Sequence, residues 1–274
     1  MAGSTVAALI GFAANSLLCR MALRPGLIDA ASFTGIRLLS GAIVLSLLVR
    51  SKGEARSGGS WVSAVALFAY AAAFSFAYLR IEAGAGALIL FGSVQITMVG
   101  WGWFKGERPR VLEWVGLAVA FGGLAVLTIP GAGSPDLVGA GLMASAGVAW
   151  GAYSLRGRSA SRALADTSGN FLRSVPLAAV LAVVAASHVS LQGALLAVAS
   201  GAVASGIGYS LWYAALPGLT ATRAAVVQLS VPVLAAAGGV ALLGESPSMR
   251  LAGAGLAILG GVGLALLGRF HRQS

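Results

Sequence analysis

Long apolar runs, separated by short polar or Pro/Gly-rich breaks, recur along the whole chain. Most are close to 20 residues long, which is the length an α-helix needs to cross a hydrocarbon core of roughly 30 Å. Because the breaks are short, we expect each helix to lie beside its neighbour in sequence. The pattern predicts ten membrane-spanning helices, at about 4–20, 31–49, 61–79, 84–104, 111–129, 136–154, 168–187, 193–214, 221–242 and 250–268.

Two stretches of the chain resemble each other: WFKGERPRVLEWVGLAVAFGGLAVL and LLGESPSMRLAGAGLAILGGVGLAL. Gly106-Glu107 aligns with Gly244-Glu245, and Gly122-Gly123 aligns with Gly260-Gly261, both at an offset of 138. We therefore expect two five-helix repeats, 1–132 and 133–274, divided near the break PGAGSPD. Five crossings are an odd number, so the second repeat is expected to be inverted, an arrangement that supports alternating access. The alternative is a duplicated scaffold without a transport role.

The amino-acid composition indicates that the helices lie in a membrane. Hydrophobic residues make up 58% of the 274 positions and charged residues 9%, with a mean hydropathy of +0.90. Soluble chains carry about a quarter charged residues. The fold class expected is therefore an all-α integral membrane protein.

The net charge of +10 is better explained by membrane orientation than by a nucleic-acid partner. Twelve Lys and Arg residues fall in one set of alternate loops and termini, against four in the other. Basic residues concentrate on the cytoplasmic side, so both termini are predicted to be cytoplasmic. The single cysteine, Cys19, excludes an internal disulfide.

The paired GERP and GESP turns, each followed by a helix containing Gly-Gly, resemble the drug/metabolite transporter superfamily, specifically its EamA-type branch. Within that branch the chain looks most like bacterial aromatic-amino-acid exporters. The resemblance implies a substrate cavity lined mainly by helices 1, 3, 4, 6, 8 and 9, with helices 5 and 10 as a structural pair. It also implies that Glu107 and Glu245 cap the helices that follow them.

Acidic residues are few, and all are expected in loops or at helix ends. A carboxylate inside the membrane normally marks a proton or cation pathway. The pattern therefore argues against carboxylate-coupled export of cationic drugs and favours facilitated diffusion. The eight residues are Asp29, Glu54, Glu82, Glu107, Glu113, Asp136, Asp166 and Glu245.

Arg37 and Arg173 are the only charged residues placed within predicted helices, and they correspond at an offset of 136. Each lies near enough to a helix start to extend its side chain to the membrane interface or to make a contact at the helix end. The alternative is a role in attracting a carboxylate or in gating, and the sequence leaves both readings open.

Uncharged polar and aromatic residues on the expected cavity helices are the candidates for substrate contact. An amide in hydrocarbon must find a partner, either a substrate or a neighbouring helix. The substrate-binding candidates are Asn15, Tyr70, Tyr78, Leu88, Phe91, Gln95, Trp101 and Gln228. The gate candidates are Trp150, Tyr153, Tyr209, Trp212, Tyr213 and Pro232, although an interfacial aromatic belt also explains several of the aromatics.

These features predict a multi-pass carrier, and the resemblance implies one of the bacterial inner membrane that exports amino acids, aromatic ones among them. Export of other small metabolites or drugs is the alternative, and a non-transporting structural or receptor protein is the alternative of another class. An enzyme is not expected, since no catalytic or metal-ligand cluster falls at membrane depth. No cofactor is expected, and the default expectation is a monomer in the lipid bilayer with a small-molecule substrate.

Overall fold

The computed structural model describes residues 2–53, 58–106, 111–129, 131, 134–157, 162–215 and 227–270. Within these ranges the chain forms ten helices and no strand, which confirms the all-helical prediction. They are α1 (Ala2–Leu23), α2 (Ala30–Ser51), α3 (Trp61–Tyr78), α4 (Ala83–Phe104), α5 (Val111–Thr128), α6 (Leu137–Gly157), α7 (Ala163–Ala185), α8 (Leu191–Val198, a π-helical section Ala199–Ile207, then Gly208–Ala215), α9 (Ser230–Leu243) and α10 (Met249–Phe270). Among the described residues, seven helices are long and apolar enough to cross a membrane.

Two predicted helix starts differ from those in the structure by more than two residues. Helix α7 begins at Ala163 rather than 168, so that Asp166 lies in its first turn, where a negative charge is favourable. Helix α9 was predicted from 221; residues 221–226 lie outside the described residues, and α9 itself begins at Ser230. The helix is interrupted at Leu229, three residues before Pro232. The proline ring would clash with the carbonyl group four residues earlier if the helix continued without a break.

Short polar residues set several of the helix starts. The Asp29 side chain accepts the N–H of Ser32 at 2.8 Å, and the Ser60 hydroxyl accepts the N–H of Ser63 at 3.2 Å. Ser190 does the same for α8. Each satisfies a backbone donor that the first helical turn leaves without an intrahelical partner.

The helices pack mainly across the two halves of the chain. The closest pairs are α5 with α10, α2 with α7, and α3 with α6, whereas α1–α2 and α3–α4 touch little. The expectation that each helix packs beside its neighbour in sequence is therefore wrong for those two pairs, and also for α5–α6, α6–α7 and α9–α10, which touch still less among the described residues. Apolar side chains that are left exposed, such as Val183 and Met249, face outwards, as lipid-facing residues do.

The α5–α10 pair packs through glycines with backbones in near contact. A Cβ on Gly116 would collide with the carbonyl oxygen of Gly261, and one on Gly261 would collide with the carbonyl oxygen of Gly116. Small residues allow this approach, which stabilises helix pairs in membranes through close packing. The pairing of helices 5 and 10 that the family resemblance implied is present in the structure.

Connections alternate between the two ends of the helices. At one end, which we call the far side, Asp29 of the α1–α2 loop accepts the N–H groups of Ser187 and His188 in the α7–α8 loop, at 3.0 and 2.9 Å. At the other end, the N-terminal side, Asp166 and Asn170 of α7 accept the N–H groups of Gly59 and Ser60, at 2.9 and 2.8 Å. Polar contacts between loops therefore join the helices at both ends.

Candidate substrate site between the helices

Aromatic side chains from five helices meet in one group, which we call the aromatic cluster. Its members are Phe12 of α1, Tyr70 and Phe74 of α3, Trp150 and Tyr153 of α6, Phe171 of α7, and Tyr209 and Trp212 of α8. The Trp150 ring is central: its centroid lies 4.7 Å from that of Tyr70, 5.4 Å from Tyr153 and 5.7 Å from Tyr209. Offset and tilted ring pairs at these distances are attractive.

Helical spacing explains how the cluster forms. Trp150 and Tyr153 are three residues apart, as are Tyr209 and Trp212, so each pair shares a helix face. Phe12 contacts both Tyr209 and Trp212, at 5.6 and 5.9 Å between centroids. Four of the gate candidates, together with Tyr70, are thus brought together between α1, α3, α6 and α8. Tyr213 was also a gate candidate, and its side chain lies outside the described residues.

Arg37 lies beside the cluster and does not reach the membrane interface. Its side chain is on α2, and only 2% of the residue is exposed. Nη2 donates to the Tyr70 hydroxyl at 3.0 Å, and the guanidinium lies over the Phe74 ring at 4.9 Å. The interfacial reading of Arg37 is therefore wrong.

Arg173 has the satisfied environment that Arg37 lacks. Its Nη1 donates to the carbonyl oxygens of Gly58 and Gly169, at 2.7 and 3.0 Å. It thus joins the α2–α3 loop to the first turns of α7, which fits the helix-end reading. The two corresponding arginines therefore have different surroundings.

Asn15 contacts a neighbouring helix. Its Oδ1 accepts the hydroxyl groups of Ser200 at 2.8 Å and Ser205 at 3.4 Å, both in the π-helical section of α8. Such π-helical sections are rare and frequently lie at functional sites. In this section Gly201 passes so close to the Arg37 carbonyl oxygen that a Cβ would collide with it. The π-helical section is thus held against both α1 and α2.

The remaining substrate-binding candidates lie at separate places. Tyr78 is fully buried, with its ring against Gly86 and its hydroxyl donating to the Ala83 carbonyl oxygen at 3.3 Å. Leu88 is buried facing Gly255 of α10, and Phe91 is half-buried against the core. Gln228 is half-buried just before α9, and Pro232 is buried in the first turn of α9.

Gln95 and Trp101 point away from the aromatic cluster. Gln95 lines a small cavity between α4, α5 and α10, with Gly116 and Val262 among its neighbours. The Trp101 side chain is on the exterior, where it lies beside Phe104 and under the Lys105 ammonium at 5.2 Å. That environment is typical of an interfacial aromatic residue.

Glu245 is buried and caps a different helix from the one expected. Both its carboxylate oxygens accept the N–H of Ala83, the first residue of α4, at 2.9 and 3.0 Å. Its Oε1 also lies 3.5 Å from Nε of Arg20 in α1. Helix α10, which follows Glu245, is capped by the Ser248 hydroxyl instead. The expectation that Glu245 caps the following helix is wrong, and Glu107 lies outside the described residues.

The carboxylate of Glu245 also affects its neighbour Glu82. Partial burial raises the pKa of Glu82, and repulsion from the Glu245 carboxylate raises it further. At Asp29, partial burial raises the pKa, but the hydrogen bonds from Ser32, Ser187 and His188 together outweigh it and lower the pKa to about 2. On the far side, the ionised form is therefore stabilised at Asp29 and destabilised at Glu82.

Sequence reasoning missed three residues at these contacts: Arg20, Ser200 and Ser205. Arg20 is one of the four basic residues assigned to the less basic set of loops, yet it is buried and donates to the Tyr78 carbonyl oxygen at 2.8 Å. The two serines fall within an apolar helix and resemble packing residues. One signal was available for the serines, since a hydroxyl group inside a membrane helix needs an acceptor.

Comparisons with known proteins identify the class. Residues 137–267 match the EamA-like transporter family. A solved crystal structure shares the fold, with a TM-score of 0.66 and 23% identity, over 96% of this chain and 99% of that one. An uncharacterized protein of Pseudomonas aeruginosa is 52% identical over 98% of this chain and 96% of its own length.

The apolar helices and the family match together indicate a multi-pass membrane protein, and the matching family is one of membrane transporters. The EamA-like match covers just under half of the chain and supports the drug/metabolite transporter superfamily, and the matching family is one of transporters and not of enzymes.

Proposed function

We propose that this protein exports amino acids, aromatic ones among them, across the bacterial inner membrane by alternating access. The observation that carries the proposal is the aromatic cluster, because its rings come from α1 and α3 in one half and from α6 and α8 in the other. Movement of one half against the other would separate these rings and uncover a chamber lined by aromatic faces and hydroxyl groups. Such a lining suits a solute with an apolar side chain and a polar end.

The packing of α5 on α10 supports two related halves, 1–132 and 133–274. A Cβ on Gly123 would press on Ile258, and one on Gly261 would press on Ala120. Shifting Ala120 and Gly123 by 138 positions gives Ile258 and Gly261, so the two contacts exchange with each other when the halves are exchanged. Alternating access by inverted repeats requires such an exchange.

Facilitated movement is the proposed energetic mode. The described acidic residues lie at helix ends or in loops, including Glu113 in the first turn of α5 and Glu245 after α9.

The excess of Lys and Arg in the loops of the N-terminal side supports cytoplasmic termini. Two halves in one chain supply both sides of a chamber, so a monomer suffices.

The gate candidates would act on the N-terminal side of the chamber. Trp150, Tyr153, Tyr209 and Trp212 fall in the later parts of α6 and α8, towards the ends that connect on that side. They are in mutual contact through Trp150, Tyr209 and Phe12. We propose that these contacts close the chamber on the cytoplasmic side and separate when substrate enters.

Counterflow in proteoliposomes that contain only this protein tests the proposal. Labelled phenylalanine, tryptophan, leucine and alanine are offered with and without a pH gradient. The expected result is uptake of several of them that is indifferent to the gradient. Proton-dependent movement of cationic drugs without amino-acid uptake would instead favour the drug-export alternative, and no flux of any solute would favour a non-transporting protein.

A further inference from the structure

Arg37 carries a guanidinium nitrogen that has no partner in the structure. Nη1 is buried and makes no hydrogen bond, whereas Nη2 donates to Tyr70. Guanidinium has five N–H donors in a fixed fork, and the two on Nη1 are unused here. The structure therefore places a buried donor with no acceptor next to the aromatic cluster.

No acidic side chain neutralises this charge in the part of the chain that the structure describes. The ion pairs there join Arg20 to Glu245 and Arg80 to Asp136. The faces of Tyr70 and Phe74, at 5.3 and 4.9 Å from the guanidinium carbon, stabilise the cation only in part. A buried cation without a counter-ion is costly, and an ionisable group within a membrane normally has a functional role.

The contrast with Arg173 indicates that the unfilled environment is specific to Arg37. The two residues correspond in the two halves, but Nη1 of Arg173 is bound by two carbonyl oxygens. The backbone of Arg37 is also fixed, since Gly201 of α8 packs directly against its carbonyl oxygen. The backbone of Arg37 is therefore held by α8 and its guanidinium by Tyr70 and Phe74 of α3, while one nitrogen stays unpaired.

We propose that Nη1 of Arg37 binds the carboxylate group of the transported solute. This inference rests on the proposed function and assigns the recognition of the substrate's anionic end to one residue. Tyr70 links the two parts of the site: its hydroxyl accepts from Arg37, and its ring lies 4.7 Å from Trp150. A carboxylate on Arg37 would leave an apolar or aromatic side chain of the same solute beside Tyr70 and Trp150.

Charge and geometry favour a carboxylate over a cation or a neutral solute. Guanidinium donates strong, charge-assisted hydrogen bonds to carboxylates, while it repels an ammonium group. The amino group of the solute would therefore lie away from Arg37, towards the hydroxyl groups of the cluster. Arg37 is thus expected to determine specificity for the carboxylate end of the solute.

The test measures binding and transport separately, in the purified full-length protein. Binding of labelled phenylalanine is competed with 3-phenylpropanoate, which lacks the amino group, and with phenethylamine, which lacks the carboxylate. The expected result is competition by 3-phenylpropanoate and not by phenethylamine. In Arg37→Gln, phenylalanine affinity should fall about 10- to 100-fold, since a hydrogen bond to a charged group is lost. Arg173→Gln is the matched control and should keep the wild-type preference.

The possible outcomes separate the two proposals. Amino-acid counterflow with equal competition by phenethylamine would overturn the role of Arg37 and leave the proposed function standing. Absence of amino-acid flux, together with binding of 3-phenylpropanoate that is lost in Arg37→Gln, would overturn the proposed function and support the anion site. If Arg37→Gln does not fold, Arg37→Lys should keep the preference for carboxylates at reduced affinity; loss of that preference in a folded Lys variant would contradict the proposal.

Discussion

The carboxylate of Glu245 and the backbone N–H of Ala83 are hydrogen-bonded across 162 positions of sequence, at 2.9 and 3.0 Å. Glu245 follows α9, and Ala83 begins α4, so the contact joins the first five helices to the last five on the far side. Arg20 of α1 adds a charge to the same contact. Opening the far side by moving the halves apart would require this contact to break.

Replacing Glu245 by Ala should destabilise the protein by about 3 kcal/mol, because Arg20 would be left buried without its counter-ion. The first turn of α4 would also lose a cap, which is worth about 1 kcal/mol by itself. Thermal unfolding in detergent measures the change. Glu82→Ala is the control, since Glu82 stands at the N-cap position of α4 but makes no capping hydrogen bond with its side chain. An equal loss in both variants would contradict this account.

The two Gly-Gly pairs are expected to respond unequally to substitution. In each pair only the second glycine, Gly123 or Gly261, faces the partner helix, whereas Gly122 and Gly260 have open space around them. Gly261→Ala should therefore cost roughly 1–3 kcal/mol through a forced shift of α10 from α5, and Gly260→Ala should change stability little. Melting temperatures of the two adjacent variants test this, and a larger loss at Gly260 would show that the helix faces are assigned wrongly.

The number and type of helices could be predicted because apolar length alone specifies a membrane span. The partners of each helix could not, since helices in lipid associate through shape and not through apolar surface. Gly116 and Gly261 illustrate the difficulty. Their backbones are in near contact, and this is evident only once α5 and α10 lie together. The repeated Gly-Glu turns correctly predicted that Glu245 lies in the turn between the last two helices. They did not predict that its carboxylate caps α4.

Only part of the candidate site could be predicted, because the sequence does not show which side chains meet across a helix interface. Residue type identified Tyr70, Trp150 and Tyr209 as amphipathic aromatics on expected cavity helices, and the structure brings them together. Sequence could not distinguish these from Trp101, whose ring faces outwards. Arg37 and Arg173 looked equivalent, and only the carbonyl oxygens around Arg173 separate them. In both cases the deciding factor was which neighbour a side chain meets across the helix interface.

Trp150→Leu is expected to lower the rate of amino-acid counterflow by about tenfold, because Trp150 connects Tyr70, Tyr153 and Tyr209 within the cluster. Loss of a large aromatic ring would loosen both the chamber wall and the gate contacts. Trp101→Leu is matched in residue type but sits on the exterior, so it should retain the wild-type rate. Initial rates normalised to the amount of reconstituted protein check the pair. A decrease in Trp101→Leu that equals the decrease in Trp150→Leu would argue against a site at the cluster.

Asp29 should make stability depend on pH in a defined window. Its pKa is lowered from 3.8 to about 2, so the ionised form is favoured in the folded protein. A depressed acid pKa contributes stability that is fully present above the unfolded value and is lost as the pH falls towards the folded value. The melting temperature of wild type should therefore exceed that of Asp29→Asn at pH 5, and the difference should shrink between about pH 4 and pH 2. Asparagine keeps one oxygen acceptor but cannot ionise, and its NH2 group cannot accept a hydrogen bond, so the variant removes the charge together with the hydrogen bonds to one carboxylate oxygen. A difference that grows on acidification would mean that Asp29 is not held ionised by the N–H groups of Ser187 and His188, and that the α1–α2 and α7–α8 loops are joined in some other way.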